Sequence, residues 1–199
     1  MLRRYLPLAA ALLLISAFPA ISAVSRDPAQ MPAGTWQLDR AHSTVTARVM
    51  HMERSWFVVR FNVVDATLIY DPRNPEAARV SASVDATSFD VNADYGRRFA
   101  DQFLDAGKSP RMTFVSTQLS RTGPSTGTMT GNLTLRGVTK PVTFNVTFNG
   151  AGAGMLPLTN TAGFSATATI KRSDFGSTFL QNLVGDDVVI TVETEFQKR

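Results

Sequence analysis

Near the end of the chain, Val142, Phe144, Val146 and Phe148 alternate with Thr143, Asn145 and Thr147, and the same rhythm returns over residues 164–170 and 188–196. A period of two separates apolar from polar side chains only in an extended strand, whose successive residues point to opposite faces. Earlier stretches repeat the pattern. Val45, Ala47 and Val49 oppose Thr44, Thr46 and Arg48; Phe57, Val59 and Phe61 oppose Val58 and Arg60; Val80, Ala82 and Val84 oppose Ser81, Ser83 and Asp85. Together with segments over 112–115 and 131–135, these predict eight to nine strands in a largely antiparallel sheet. Turn chemistry separates them at Asp71-Pro72-Arg73-Asn74-Pro75, at Gly123-Pro124-Ser125 and at Arg136-Gly137-Val138. Such a sheet either folds into a sandwich filled by side chains or closes into a barrel that can hold a ligand. The pattern alone leaves both open.

One stretch breaks the period. Tyr95, Phe99 and Phe103 recur at spacing four, with Asp94 placed to cap and Gly107 just past the end. This predicts an amphipathic helix over Asp94 to Ala106. A second helical turn is expected at Thr178 to Leu183. Residues 24–34, with Pro28, Pro32 and Gly34, read as a linker into a first strand at Trp36.

The first 23 residues change the picture of composition. A basic start at Arg3 and Arg4, an apolar run from Leu6 to Ala20 and small residues up to Ala23 read as a secretory signal peptide, too short for a permanent span. Removing these 23 of 199 residues takes the net charge from +4 to +2 and leaves one domain of 176 residues. A chain of that size can bury about 70% of its unfolded surface without disulfide or metal. Zero Cys in an exported protein points to a bacterial envelope, where disulfides are optional for a domain this large, and the signal segment places the expected protein in the periplasm. The basic residues are scattered rather than aligned, so no nucleic-acid stripe is expected.

Candidate chemistry is sparse. His42 and His51 are the two histidines, neither in a metal-ligand spacing, and each is expected to be a hydrogen-bonded strand residue. Asp39, His42 and Ser43 supply a triad's residue types, but neighbours this close on one strand cannot form a nucleophile–base–orienter relay. The glycines at 150, 152 and 154 read as a flexible loop, and Asp186-Asp187 and Glu193/Glu195 as solvated charges. No catalytic residue, metal ligand or cofactor site is therefore expected. What stands out is 13 Phe against three Tyr and two Trp. Phe cannot satisfy polar partners, so its face is either a dry core or the wall of an apolar cavity.

The order and spacing of several blocks resemble the bacterial YceI-like family. They are Trp36-x-Leu38-Asp39-x-x-His42-Ser43, Phe103-Leu104-Asp105, Pro110-x-Met112-Thr113-Phe114-x-Ser116 and Gly131-x-Leu133-Thr134-x-x-Gly137-Val138-Thr139-Lys140-Pro141-Val142. Gly163-Phe164-x-Ala166, Ile170-x-Arg172-x-Asp174-Phe175-Gly176 and Gly185-Asp186-x-Val188-x-Ile190 complete the set. The resemblance implies an all-β fold, an antiparallel eight-stranded lipocalin-like barrel with one short amphipathic helix near its mouth, spanning 35–199. It also implies a periplasmic carrier of a polyisoprenoid or similar long-chain lipid. The chain departs from the family in the helix region, offering Tyr95-Gly96-Arg97-Arg98-Phe99 where Arg-Asp-x-His-Leu is common.

On this reading the cavity wall takes Trp36, Val45, Phe57, Phe61 and Val84 from the first half of the chain. Phe114, Phe144, Phe164 and Ile170 follow from the second half, with Phe99 and Phe103 from the helix as a lid. Arg97, Arg98 and Arg172 are the candidates for a polar head group, since Arg offers planar, bidentate donors to phosphate. Small inward residues, Ala47, Ala82, Ala166 and Ala168, favour a hollow interior. The alternative is a dry-barrel stress-response protein that contacts a membrane partner, such as a b-type cytochrome of quinone metabolism. Transient contact with a membrane or membrane protein, and a homodimer, are the further partner expectations.

Overall fold

The structure is a computed structural model, and it describes residues 23–91, 96–154 and 159–199. Residues up to Ser22, expected to belong to a signal peptide, and the expected helix start at Asp94 and Tyr95 lie outside the described residues. Among those described, ten strands form one sheet: β1 (Gly34–His51), β2 (Ser55–Phe61), β3 (Val64–Tyr70), β4 (Arg79–Asp85) and β5 (Phe89–Asp90), then β6 (Arg111–Arg121), β7 (Thr126–Leu135), β8 (Val138–Ala153), β9 (Asn160–Lys171) and β10 (Val184–Lys198). One α-helix, α1 (Gly96–Leu104), precedes β6.

The sheet closes on itself. Its order is β10-β9-β8-β7-β6-β4-β3-β1, and β10 pairs back to β1, so eight strands make a complete antiparallel ring. The length of β1 makes closure possible. Its first half pairs with β3 (Trp36 opposite Leu68) and its second half with β2 (Val49 opposite Phe57), while β10 runs along both halves (Trp36 opposite Lys198, Val49 opposite Val188). Between the halves a bulge interrupts the β1–β10 register from Asp39 to Thr44. Such a bulge bends the strand and raises its twist, as a curved wall requires. Ser43 ties the bulge to β10: its Oγ accepts from the Glu195 amide at 3.2 Å.

Toward the α1 end the β1–β3 ladder of this ring gives way to β1–β2, which leaves one strand edge without a backbone partner. Beyond Arg60 and Phe61, which pair with β5, the far edge of β2 from Ser55 to Val59 has no strand partner among the described residues. Here α1 covers the gap with side chains, Phe99 meeting Phe57 at 6.4 Å between ring centres. The opposite end is plugged. The expected linker, residues 24–34, packs here: Ser25 bridges Ala151, a 3-10 turn at Pro28–Gln30 follows, and Met31 is 1% exposed. The turn is fastened by the Tyr70 hydroxyl, which donates to the Pro28 carbonyl at 2.8 Å.

Three expectations are corrected in detail. The segment Thr178 to Leu183 is a turn rather than helical, and a 3-10 turn instead occupies Arg172–Phe175. Gly150 and Gly152 belong to β8, not to a loop; Gly150 sits at a bulge with φ +144°, where Val24 and Ser25 press so close that a side chain would collide. Asp186 is not merely solvated: it accepts from the Ser173 amide at 2.9 Å and hydroxyl at 2.8 Å, capping the 3-10 turn.

Candidate functional site

The ring encloses an apolar cavity of about 530 Å³ that runs from Met31 and Tyr70 at the plugged end to Phe99, Phe103 and Arg172 at the other. That volume lies within the range of about 300–1,000 Å³ usual for small-molecule sites. The walls show that the space is real. Val80, Ala82 and Val84 on β4 and Val188, Ile190 and Val192 on β10 face inward, yet they are only half-buried. Side chains from the opposite wall do not reach them, as they would in a core packed to crystal density.

The wall divides into aromatic ends and a waist of small side chains. Toward the plugged end Phe148, Phe164 and Phe196 meet in sequence, tilted or edge-on, with ring centres 5.3 and 6.0 Å apart. Toward the helix end Phe99, Phe103 and Phe179 do the same, at 5.6 and 5.2 Å. Between them Ala47, Ala82 and Ala166 line the space, while Ala168 is buried in the wall. On the β6–β7 side Phe114 lies edge-on to Phe144 at 5.1 Å. Gly131, which pairs with Ser116, has to be glycine, because a Cβ there would run into the Phe114 ring and the Val115 carbonyl.

Ten of the eleven expected wall residues border the cavity: Val45, Phe57, Phe61, Val84 and Phe99 do, and so do Phe103, Phe114, Phe144, Phe164 and Ile170. Trp36 does not. It is fully buried in the plug, in the same apolar cluster as Met31, with its indole N–H donating to the Pro32 carbonyl at 3.3 Å. Its inward position was legible from the strand period; that the chain before it folds under the barrel was not.

The three arginines separate. Arg97 and Arg98 are exposed on the outside of α1 and do not border the cavity, whereas Arg172 does and is 5% exposed. No described carboxylate bonds Arg172. Its Nε donates to the Gly185 carbonyl at 2.9 Å, Nη1 to those of Ser177 and Phe179 at 2.9 Å each, and Nη2 to that of Val184 at 2.8 Å. Its guanidinium also lies 5.7 Å from the centre of the Phe103 ring. Burial pulls its pKa down, partly opposed by the charge of Asp186. The residue thus pins the loop before β10 and leaves a cation at the apolar wall.

A second constellation was invisible in sequence. Asp39, His42 and Glu195 bring ligand atoms within 4.8 Å of one another, because the β1–β10 register sets Glu195 opposite Asp39. Asp39 and His42 are already partnered. Nδ1 of His42 lies 2.9 Å from Oδ2 of Asp39, which also accepts from Gln197 at 2.7 Å, while Oδ1 accepts from the Ala41 amide at 3.0 Å. The hydrogen bond to His42 holds Asp39 below the ordinary carboxylate pKa, and the bond to Asp39 raises that of His42. The cluster braces the bulge on the outside of the barrel. Ser43 bonds β10 rather than His42, so the triad residue types form no relay. The other histidine, His51, borders the cavity at its helix end, 6.4 Å from the Phe57 ring.

Known proteins share this architecture. The family model of the YceI-like domain matches residues 36–196. A UPF0312 protein of Pseudomonas paraeruginosa is 38% identical over 153 residues, which cover 74% of this chain and 78% of that protein. Among solved structures, BcnA of Burkholderia cenocepacia superposes with a TM-score of 0.72 at 27% identity, covering 79% of this chain and 98% of that one. A polyisoprenoid binding domain from Saccharophagus degradans shares the fold at a TM-score of 0.63 and 14% identity, over 82% of this chain and 98% of its own.

Proposed function

The chain belongs to the YceI-like family, and from that premise we propose that it is a periplasmic carrier which encloses one long apolar chain, a polyisoprenoid or similar lipid, in its barrel. The observation that carries this reading is the hollow interior of about 530 Å³ walled by Phe, Ala and aliphatic side chains. Burying a hydrocarbon chain there contributes about 0.8 kcal/mol per CH₂, so a long tail binds tightly without specific polar contacts. Arg172 at the helix end of the wall has four of its five N–H donors on backbone carbonyls, so what it offers an anionic or polar head is its charge and one remaining N–H. Arg97 and Arg98 face away from the cavity and are not suited to that role. The dry-barrel alternative gains nothing from the unfilled interior.

Mass spectrometry of an organic extract of the purified protein tests the reading. A co-purifying long-chain lipid, at near one equivalent, is the expected result. A protein that yields no lipid, and takes up none when offered polyprenyl or long-chain fatty acyl probes, would sink it.

A further inference from the structure

The apolar cavity carries a pair of buried polar side chains at its helix end. Gly176 ends the 3-10 turn in the left-handed region, with φ +73°, and swings the chain so that the Ser177 amide donates back to the Arg172 carbonyl at 3.1 Å. The Arg172 guanidinium returns the contact, Nη1 donating to the Ser177 carbonyl at 2.9 Å. Two polar residues are thereby fixed side by side. Ser177 is 3% and Arg172 5% exposed, and both border the cavity.

Each of them keeps a donor in hand. Arg172 has one N–H beyond the four that its backbone carbonyls accept. The Ser177 hydroxyl bonds no described residue, yet it is not shut in, since Gln102 Oε1 is the described side-chain atom that is both sealed and unpartnered. Buried hydroxyls are as a rule bonded, so the acceptor for this one has to come from outside the chain. On their far side the same two residues border a polar recess with Thr178, Gln181, Asn182 and Asp186. The pair thus stands where apolar space meets polar space, which is where an amphiphile with its tail in the barrel carries its head.

Charge narrows the kind of head. Asp186, in that recess, already opposes the Arg172 cation, and the other basic residues that border the cavity, Arg48, His51 and Arg121, are exposed. Two free donors match the two lone pairs of a single carbonyl or hydroxyl oxygen. A phosphate or diphosphate would bring several charged oxygens to the same two donors and set them against Asp186, and unbonded charged oxygens are costly to bury.

We propose that Ser177 and Arg172 form a head-group anchor for one uncharged oxygen, a lipid alcohol or carbonyl, and that this anchor selects against phosphorylated heads. The inference rests on the carrier reading and adds to it which head the barrel prefers.

The test compares phytanol, phytanyl diphosphate and phytane, which share one branched tail and differ in the head alone. Dissociation constants come from equilibrium dialysis of the delipidated protein. Wild type should hold phytanol more tightly than phytane, and about tenfold or more tighter than phytanyl diphosphate. Ser177→Ala should weaken phytanol by about three- to tenfold and leave phytane unchanged. It should also leave the melting temperature of the delipidated protein unchanged, because the hydroxyl bonds nothing in the folded chain. Diphosphate binding as tight as that of phytanol overturns the proposal, as does a Ser177→Ala variant that keeps the wild-type affinity for phytanol or loses phytanol and phytane alike. Should phytane equal phytanol in wild type, the carrier reading stands and the anchor falls. Should none of the three bind, the carrier reading fails and takes the anchor with it.

Discussion

Arg172 is a buried cation whose stability comes from four backbone carbonyls instead of a counter-charge. Its planar guanidinium reaches carbonyls from Ser177 to Gly185 at once, which a lysine ammonium cannot. Arg172→Ala leaves these acceptors unsatisfied and should cost about 3 kcal/mol or more, seen as a lowered denaturation midpoint. Arg172→Lys should recover only part of it. Equal stability of wild type and Arg172→Lys would show that the carbonyl clamp is not what the residue contributes. At the bulge, His42 and Asp39 give a pH signature of opposite signs. The raised pKa of His42 makes its contribution full below its ordinary value of 6.5 and lost as pH rises through the folded value. The lowered pKa of Asp39 makes its contribution full above its ordinary 3.8 and lost as pH falls through the folded value. The melting-temperature gap between wild type and His42→Gln should therefore be widest between about pH 4 and 6.5 and narrow above it. A gap independent of pH would reject the pair as its cause.

At the scale of elements, α1 closes one end of the barrel through the aromatic contacts of Phe99 and Phe103. Its described part is Gly96–Leu104; it ends at Leu104 rather than at the expected Ala106, while Asp94 and Tyr95 lie outside the described residues. Its Phe99 and Phe103 do face the barrel. Phe103→Ala removes a ring that touches Phe99, Phe179 and the Arg172 guanidinium, and should speed loss of bound lipid relative to Arg98→Ala on the exposed face. Equal retention in both variants, measured by lipid remaining after gel filtration, rejects the lid. Gln102 is no substitute for that control, because its Oε1 is sealed from solvent without a described partner. The strand elements were legible because each has one face on the cavity and one in water, which makes alternation nearly complete. The plug formed by residues 24–34 was not, because Pro28, Pro32 and Gly34 carry turn chemistry whatever they pack against. Nor could any local pattern show that Glu195 meets Asp39, a contact that only the closing register creates.

For the whole molecule, the decisive question is whether the interior is space or core. Ala166 lies at the waist, bordering the cavity and paired with Val146 and Val192. Ala166→Phe should abolish lipid uptake while leaving the delipidated protein as stable as wild type or more so, because the ring enters volume already present. In a filled interior the same change would cost about 1–3 kcal/mol through overpacking, so a clear fall in melting temperature counts against the hollow barrel. Alternation along each strand assigns its two faces but does not tell sandwich from barrel; the resemblance to a family did, and the β1–β10 ladder bears it out. That ladder also governs how the protein reaches its shape. Trp36 finds Lys198 and Val49 finds Val188, pairings between opposite ends of the folded domain, so the loop-closure entropy of nearly the entire chain stands before the last seam. Folding should accordingly be slow for a domain of this size, in about milliseconds to seconds. Until β10 arrives, β1 and β9 each present an open edge to other chains. Refolding yield should fall as protein concentration rises.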